Sequence, residues 1–103
     1  MKVYNKLVRD DIPEIIKKDN KKTITRILKN DVEYAKELNR KLQEEVEEYI
    51  KSGDVMELVD LGEVMHAILE LREISIDKYQ ELRQEKLKQR GSFKKRIFLE
   101  KVL

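Results

Sequence analysis

The residues best equipped for chemistry in this chain are acidic, and they come in two short runs. The stretch from Lys41 to Leu61, KLQEEVEEYIKSGDVMELVDL, holds seven carboxylates. Read as helices, both runs place acids where apolar residues are due. Ala35, Leu38, Leu42 and Tyr49 follow the three-and-four spacing of a buried stripe, and Glu45 fills the slot between Leu42 and Tyr49. Glu48, three residues on, lies beside it on the same side of the helix. Met56, Val64, Ala67, Leu71 and Ile74 form a second stripe, with Asp60 in the slot between Met56 and Val64. Glu57 comes three residues before Asp60, in line with Leu61, Val64 and Ile68. Each helix therefore carries an acid-x-x-acid pair on or beside its apolar seam.

Burying one ionised carboxylate costs several kcal/mol even after relaxation, and clustered like charges add repulsion. Four together would offset much of the ~5–15 kcal/mol that keeps a domain folded. A hard divalent cation relieves both problems by accepting carboxylate oxygens. No His or Cys lies within the set, which points away from zinc and copper and toward Mg²⁺ or Mn²⁺. Magnesium commonly leaves coordination positions to water and to substrate phosphates. The competing interpretation is a solvated helix face with partners such as Lys41–Glu45. The second acid pair, also on a seam, weighs against it. Glu47 faces away from the pair and is read as solvated.

The elements that must position these acids follow from the punctuation of the chain. Asn30 or Asp31 caps a helical pattern that runs from Asp31 to Lys51, and SGD at 52–54 ends it, with Gly53 as the stop and Asp54 as the next cap. A second long helix covers 54–73, and a third starts at Ser75 or Asp77 and ends before Gly91. Two long helices joined by so short a turn form an antiparallel hairpin, bringing the acid pairs within reach of each other. DDIPEIIKKD, with Asp10 or Asp11 as cap and Pro13 in the first turn, predicts a short helix near the start. The fold class is all-α, with flanking helices around the hairpin. Residues 23–27 could form a short strand or an extended connector, and the tail from Phe93 to Val102 could form a strand that pairs with them.

At 103 residues the chain is read as one domain, 1–103. It is 43% charged and 40% hydrophobic, a thin apolar supply for a lone small globule, so burial by self-association is expected. The absence of cysteine excludes disulfides and thiolate chemistry. No apolar run approaches membrane-spanning length, and MKVYNKLVRD is no secretory signal, so a cytoplasmic protein with no membrane partner is expected. The net charge of +2 conceals segregation: residues 1–30 sum to +5, residues 31–75 to −8 and residues 76–103 to +5.

The acid pattern also resembles something known. EEVEE at 44–48 followed by ELVD at 57–60 is similar to the E-E-x-x-E … E-x-x-D signature of the all-α nucleoside triphosphate pyrophosphohydrolases: MazG, dimeric dUTPase and phosphoribosyl-ATP pyrophosphohydrolase. YNKLVRDDIPEII at the start and KLKQRGSFKKRIFLEKV at the end resemble a small MazG-like subgroup often labelled phosphoribosyl-ATP pyrophosphohydrolase-like. Together the matching segments span nearly the whole chain. The resemblance implies that Glu45, Glu48, Glu57 and Asp60 hold Mg²⁺ and that Glu44 is a supporting or water-positioning group. It implies a helical hairpin assembling into four-helix bundles between protomers, as a homodimer or homotetramer, with sites near subunit contacts. It also implies cleavage between the α- and β-phosphates of a nucleotide, releasing a monophosphate and pyrophosphate. Only eight residues, 49–56, separate the acid pairs, which is short for the broader family, so no base preference carries over.

Such hydrolysis needs charge neutralisation on phosphoryl oxygens and a positioned water. Glu44 or Glu48 would orient that water or take its proton, and the base is left open between them. Lys6, Arg9, Arg90, Lys94 and Arg96 are candidates to hold the outer phosphates; Arg90 and Arg96 are favoured by their forked geometry, and Lys94 is better read as surface charge. His66 is read as a packing or interface residue. Two other functions compete. A non-catalytic helical interaction protein would be indifferent to Mg²⁺. Nucleic-acid binding through the basic ends would have to overcome the −8 middle, which makes a nucleic-acid partner the least favoured reading.

Overall fold

The computed structural model describes all 103 residues and contains four helices and no strand. They are α1 (Ile12–Lys18), α2 (Asp31–Ser52), α3 (Val55–Leu71) and α4 (Ile76–Arg90). No helix is long and apolar enough to cross a membrane.

Each long helix begins on a side-chain cap that the local sequence supplies. Asn30 Oδ1 accepts from the backbone N–H groups of Val32 and Glu33, at 2.8 and 3.1 Å. Asp54 Oδ1 accepts from Met56 N–H, and Ser75 Oγ from Lys78 N–H. These bonds satisfy donors that a helix start otherwise leaves open. Between α2 and α3 the chain reverses at Gly53, whose φ of +68° is left-handed. Its N–H donates to Tyr49 O at 2.7 Å and closes the last turn of α2.

The two helices joined there are the pair that pack extensively on each other. Leu38 on α2 and Val64 on α3 are buried between them, and Glu45 is the third buried residue of the chain. So small a core leaves the hairpin as the rigid centre and the flanking elements as additions to it. Residues 1–11 and α1 lie against the hairpin through ionic contacts and half-buried Leu7, Ile12 and Ile16. α4 has no buried residue, and the molecule is elongated, with principal extents of 60 × 32 × 24 Å.

The expected β segments do not form. Residues 23–27 carry β-branched side chains, yet no second strand lies beside them to exchange hydrogen bonds, and Ile24 is fully exposed. The tail bends instead of extending: Arg96 N–H donates to Phe93 O at 3.0 Å, and Arg96 takes a φ of +57°. Strand propensity is realised only where a neighbouring strand offers a ladder, and here neither segment meets one.

The left-handed turn yields a simple prediction. A Cβ at Gly53 meets nothing within 4 Å, so an alanine there is opposed by its backbone conformation and not by crowding. Gly53→Ala should destabilise the protein by about 1 kcal/mol, lowering the thermal midpoint by roughly 4–8 °C. Gly53→Asn should recover most of the loss, because asparagine tolerates this conformation.

Candidate metal centre

The hairpin brings the two acid pairs together, as their spacing predicts. Carboxylate oxygens of Glu44, Glu45 and Glu48 lie within 4.8 Å of one another, and so do those of Glu45, Glu57 and Asp60. Glu45 is common to both groups and is the acid at the centre. Its side chain points into the α2–α3 seam because it occupies the stripe position between Leu42 and Tyr49, and it is only 5% exposed. One of its oxygens, Oε1, lies 3.6 Å from Lys41 Nζ. The other, Oε2, is buried and has no hydrogen-bond partner. A buried carboxylate oxygen with its lone pairs unused is costly, and the groups around it are chiefly other acids.

The titration behaviour follows from this crowding. Loss of surrounding water raises the Glu45 carboxyl above its ordinary value, and Glu48 raises it further, against the opposing charge of Lys41. Glu57 is pushed up to about 7, by loss of water first and then by the neighbouring Glu48 and Glu45. Glu44 behaves oppositely. Partial burial acts to raise it, but the hydrogen bond from Lys6 and the charge of Lys41 outweigh burial and hold it below the usual range. The same bond to Glu44 is the main cause that raises the Lys6 ammonium.

Cations reach the acids from the start of the chain. Lys6 Nζ lies 3.0 Å from Glu44 Oε1, and Arg9 Nη2 lies 2.7 Å from Asp60 Oδ1. Residues 1–11 therefore run past the acid group and present two of the four basic side chains singled out in the sequence. The other two are not gathered there. Arg90 ends α4 and Arg96 lies in the turn beyond it, both exposed and without an ion pair to any acid of the group. Glu47 is exposed and outside both acid groups; its Oε1 accepts from Gln43 at 3.4 Å.

Two concavities lie side by side, and only the first is lined by acids of the group. One, of about 110 Å³, is lined by Arg9, Lys41, Glu45, Asp60 and Glu63 among others. The second, of about 490 Å³, shares Arg9 and Glu63 with it and extends to Tyr34 and His66. Lys41 and Glu63 were not singled out as site residues from sequence. The signal for Glu63 was present, since it follows Asp60 by three residues and continues the line from Glu57. His66 is half-buried, and its Nε2 lies 3.0 Å from Glu70 Oε1, one turn along α3.

The donor set suits a hard divalent ion. It is all carboxylate oxygen, drawn from two facing helices, and includes an oxygen with no other partner. Glu45 could hold such an ion with Glu57 and Asp60 or with Glu44 and Glu48, Glu44 being already paired to Lys6.

The metal-free protein should show the strain in its pH dependence. A carboxyl raised on folding, as in Glu57, contributes stability that is complete below about 4.5 and lost as pH rises through about 7. Thermal midpoints recorded in chelator should fall across that window, and Glu57→Gln should flatten the fall. Added Mg²⁺ should raise the midpoint most above pH 7, where the acids are ionised and ready to coordinate. A midpoint independent of pH and Mg²⁺ over this range would remove the case for a metal centre.

No protein-family model, curated protein or solved structure matches this chain.

Proposed function

We propose that this chain is a Mg²⁺-dependent nucleotide pyrophosphohydrolase of the MazG-like kind, with Mn²⁺ as the alternative ion. Its reaction would consume one water and cleave the α–β phosphoanhydride of a nucleoside triphosphate or a phosphoribosyl-ATP-like nucleotide. The products would be the monophosphate and pyrophosphate. One observation carries the reading: acids from two helices converge on buried Glu45, whose Oε2 has no partner. A merely structural seam gains nothing from such an arrangement, because four apolar side chains at these positions would pack without repulsion.

The residues divide the work by position. Glu45, Glu48, Glu57 and Asp60 hold the ion, which when bound supplies Lewis acidity to the phosphates and to a water. Glu44 or Glu48 orients the attacking water and accepts its proton. The hydrogen bond from Lys6 keeps Glu44 ionised, which suits a group that must accept a proton. Lys6 and Arg9 already lie at the acids, placed to transfer their contacts to substrate phosphates once the carboxylates coordinate metal. Arg90 and Arg96 serve the same phosphates only if assembly brings them to a site. The 490 Å³ concavity beside Arg9, with Tyr34 and His66 in its lining, is within the size range of small-ligand sites and offers room for the nucleoside. The chain would work as a homodimer or homotetramer of hairpins.

A non-catalytic interaction protein is favoured by the extensive exposed apolar surface alone. That surface accounts for association and leaves the acid group without a purpose.

Pyrophosphate release from a panel of nucleoside triphosphates and phosphoribosyl-ATP, with and without Mg²⁺, tests the proposal. Glu45→Gln and Asp60→Asn should each abolish turnover while keeping the helical fold, and Arg9→Met should raise KM more than it lowers kcat. Full turnover in either acid variant would sink the site assignment.

A further inference from the structure

The two ion pairs made by the start of the chain do not fall on one helix. Lys6 pairs with Glu44 on α2 at 3.0 Å, and Arg9, three residues on, pairs with Asp60 on α3 at 2.7 Å. Residues 6–9 therefore bridge the α2–α3 seam beside the acids. The anchors also divide between the two acid groups. Glu44 belongs to the group with Glu48, Asp60 to the group with Glu57, and both groups share Glu45. Each group thus has one carboxylate engaged by a cation from outside the hairpin.

The rest of the contact is slight. Residues 1–8 lie outside any helix, and no backbone hydrogen bond joins them to the hairpin. Leu7 is half-buried, whereas Val8, between the anchors, is 42% exposed. The Lys6 and Arg9 side chains are 39% and 53% exposed. Ion pairs so open to water are weak and are screened by salt. α1 follows with its own half-buried Ile12 and Ile16, so loss of the two pairs leaves the segment tethered there.

This contact competes with any other cation that neutralises the acids. An ion that takes the oxygens of Glu44 or Asp60 displaces the side chain that holds them, because two positive groups at one carboxylate repel each other. A segment that engages the acids only while the ion is absent lowers the ion's apparent affinity. By linkage, the ion loosens the segment by the same factor.

We propose that residues 1–11 are a displaceable strap: Lys6 and Arg9 close the metal-free acid group across the seam, and a divalent cation opens it by taking over their carboxylates. The proposal rests on the reading of the acids as a cation site and adds that the chain carries its own competitor for that site. Arg9 lines both concavities, so release of the strap also changes the space between the acids and the larger one.

The chain lacks cysteine, so a single introduced thiol carrying a nitroxide label reports the strap's motion. Val8→Cys sets the label between the anchors, and Lys36→Cys on α2 serves as reference. The Val8 label should be restrained in chelator. Mg²⁺ at matched ionic strength should sharpen its spectrum and leave the Lys36 label unchanged. Lys6→Met combined with Arg9→Met should free the Val8 label even in chelator, with the helical circular dichroism kept. Calorimetry should show that this variant binds Mg²⁺ more tightly, by up to about fivefold for each pair lost. A Val8 label that stays restrained while calorimetry shows Mg²⁺ bound would overturn the strap and leave the cation site standing. No Mg²⁺ binding in either protein would overturn both. A Val8 label already mobile in chelator, or equal sharpening at the two positions, would overturn the strap as well.

Discussion

Glu45 has almost no access to water, and apart from Lys41 the charged groups around it are acids. A carboxylate so placed has three ways out: it can keep its proton, find a cation, or force the surrounding structure open. The protein uses the first two in part. Glu45 and Glu57 are biased toward their protonated forms, and Lys41, Lys6 and Arg9 stand at the edges of the group. None of these cations reaches Glu45 Oε2, which has no partner at all. The requirement that something neutralise the centre of the hairpin organises the features around it.

The scaffold that imposes this crowding is small. Two capped helices and one left-handed glycine form the hairpin, and two buried apolar side chains, Leu38 and Val64, lie at its seam. Replacing the acids by leucine or valine would add apolar burial of the kind that drives folding. Keeping them there sacrifices stability at the place where the chain has least to spare. The start of the chain is drawn into the same balance. Residues 1–11 offer one half-buried apolar side chain, Leu7, and the ion pairs of Lys6 with Glu44 and of Arg9 with Asp60 add the charged contacts to the hairpin. Both pairs are partly exposed, so their strength is modest and their partners are free to exchange.

α3 links the acid group to the outer surface. One of its faces carries Glu57 and Asp60 against α2, while its other face exposes Val55, Leu58, Val59 and Met65 to solvent. A helix packed on a single neighbour holds its side chains less firmly than one enclosed on both sides. Covering the outer face of α3 therefore bears on how rigidly the inner face presents its acids, although it touches none of them.

Local chemistry made much of this legible in advance. Asn30, Gly53, Asp54 and Ser75 mark helix ends in the sequence and mark them in the structure, because capping depends on residues a few positions apart. Glu45 and Asp60 could be placed on the seam for the same reason: helical periodicity is a local rule, and a hairpin turn fixes which faces meet. What the sequence could not settle were the long-range pairings. Residues 23–27 and the tail have the composition of strands, but a strand exists only beside another, and the tertiary structure sets none beside them. Likewise the forked geometry that favoured Arg90 and Arg96 says nothing of which cation lies near the acids. The path of residues 1–11 past the hairpin brings Lys6 and Arg9 to the acids, whereas α4 carries Arg90 and Arg96 away from them. The sequence by itself determined which residues are helical and that acids occupy the seam, and only the folded chain decided which distant charges meet them, because that choice depends on where the backbone travels between them.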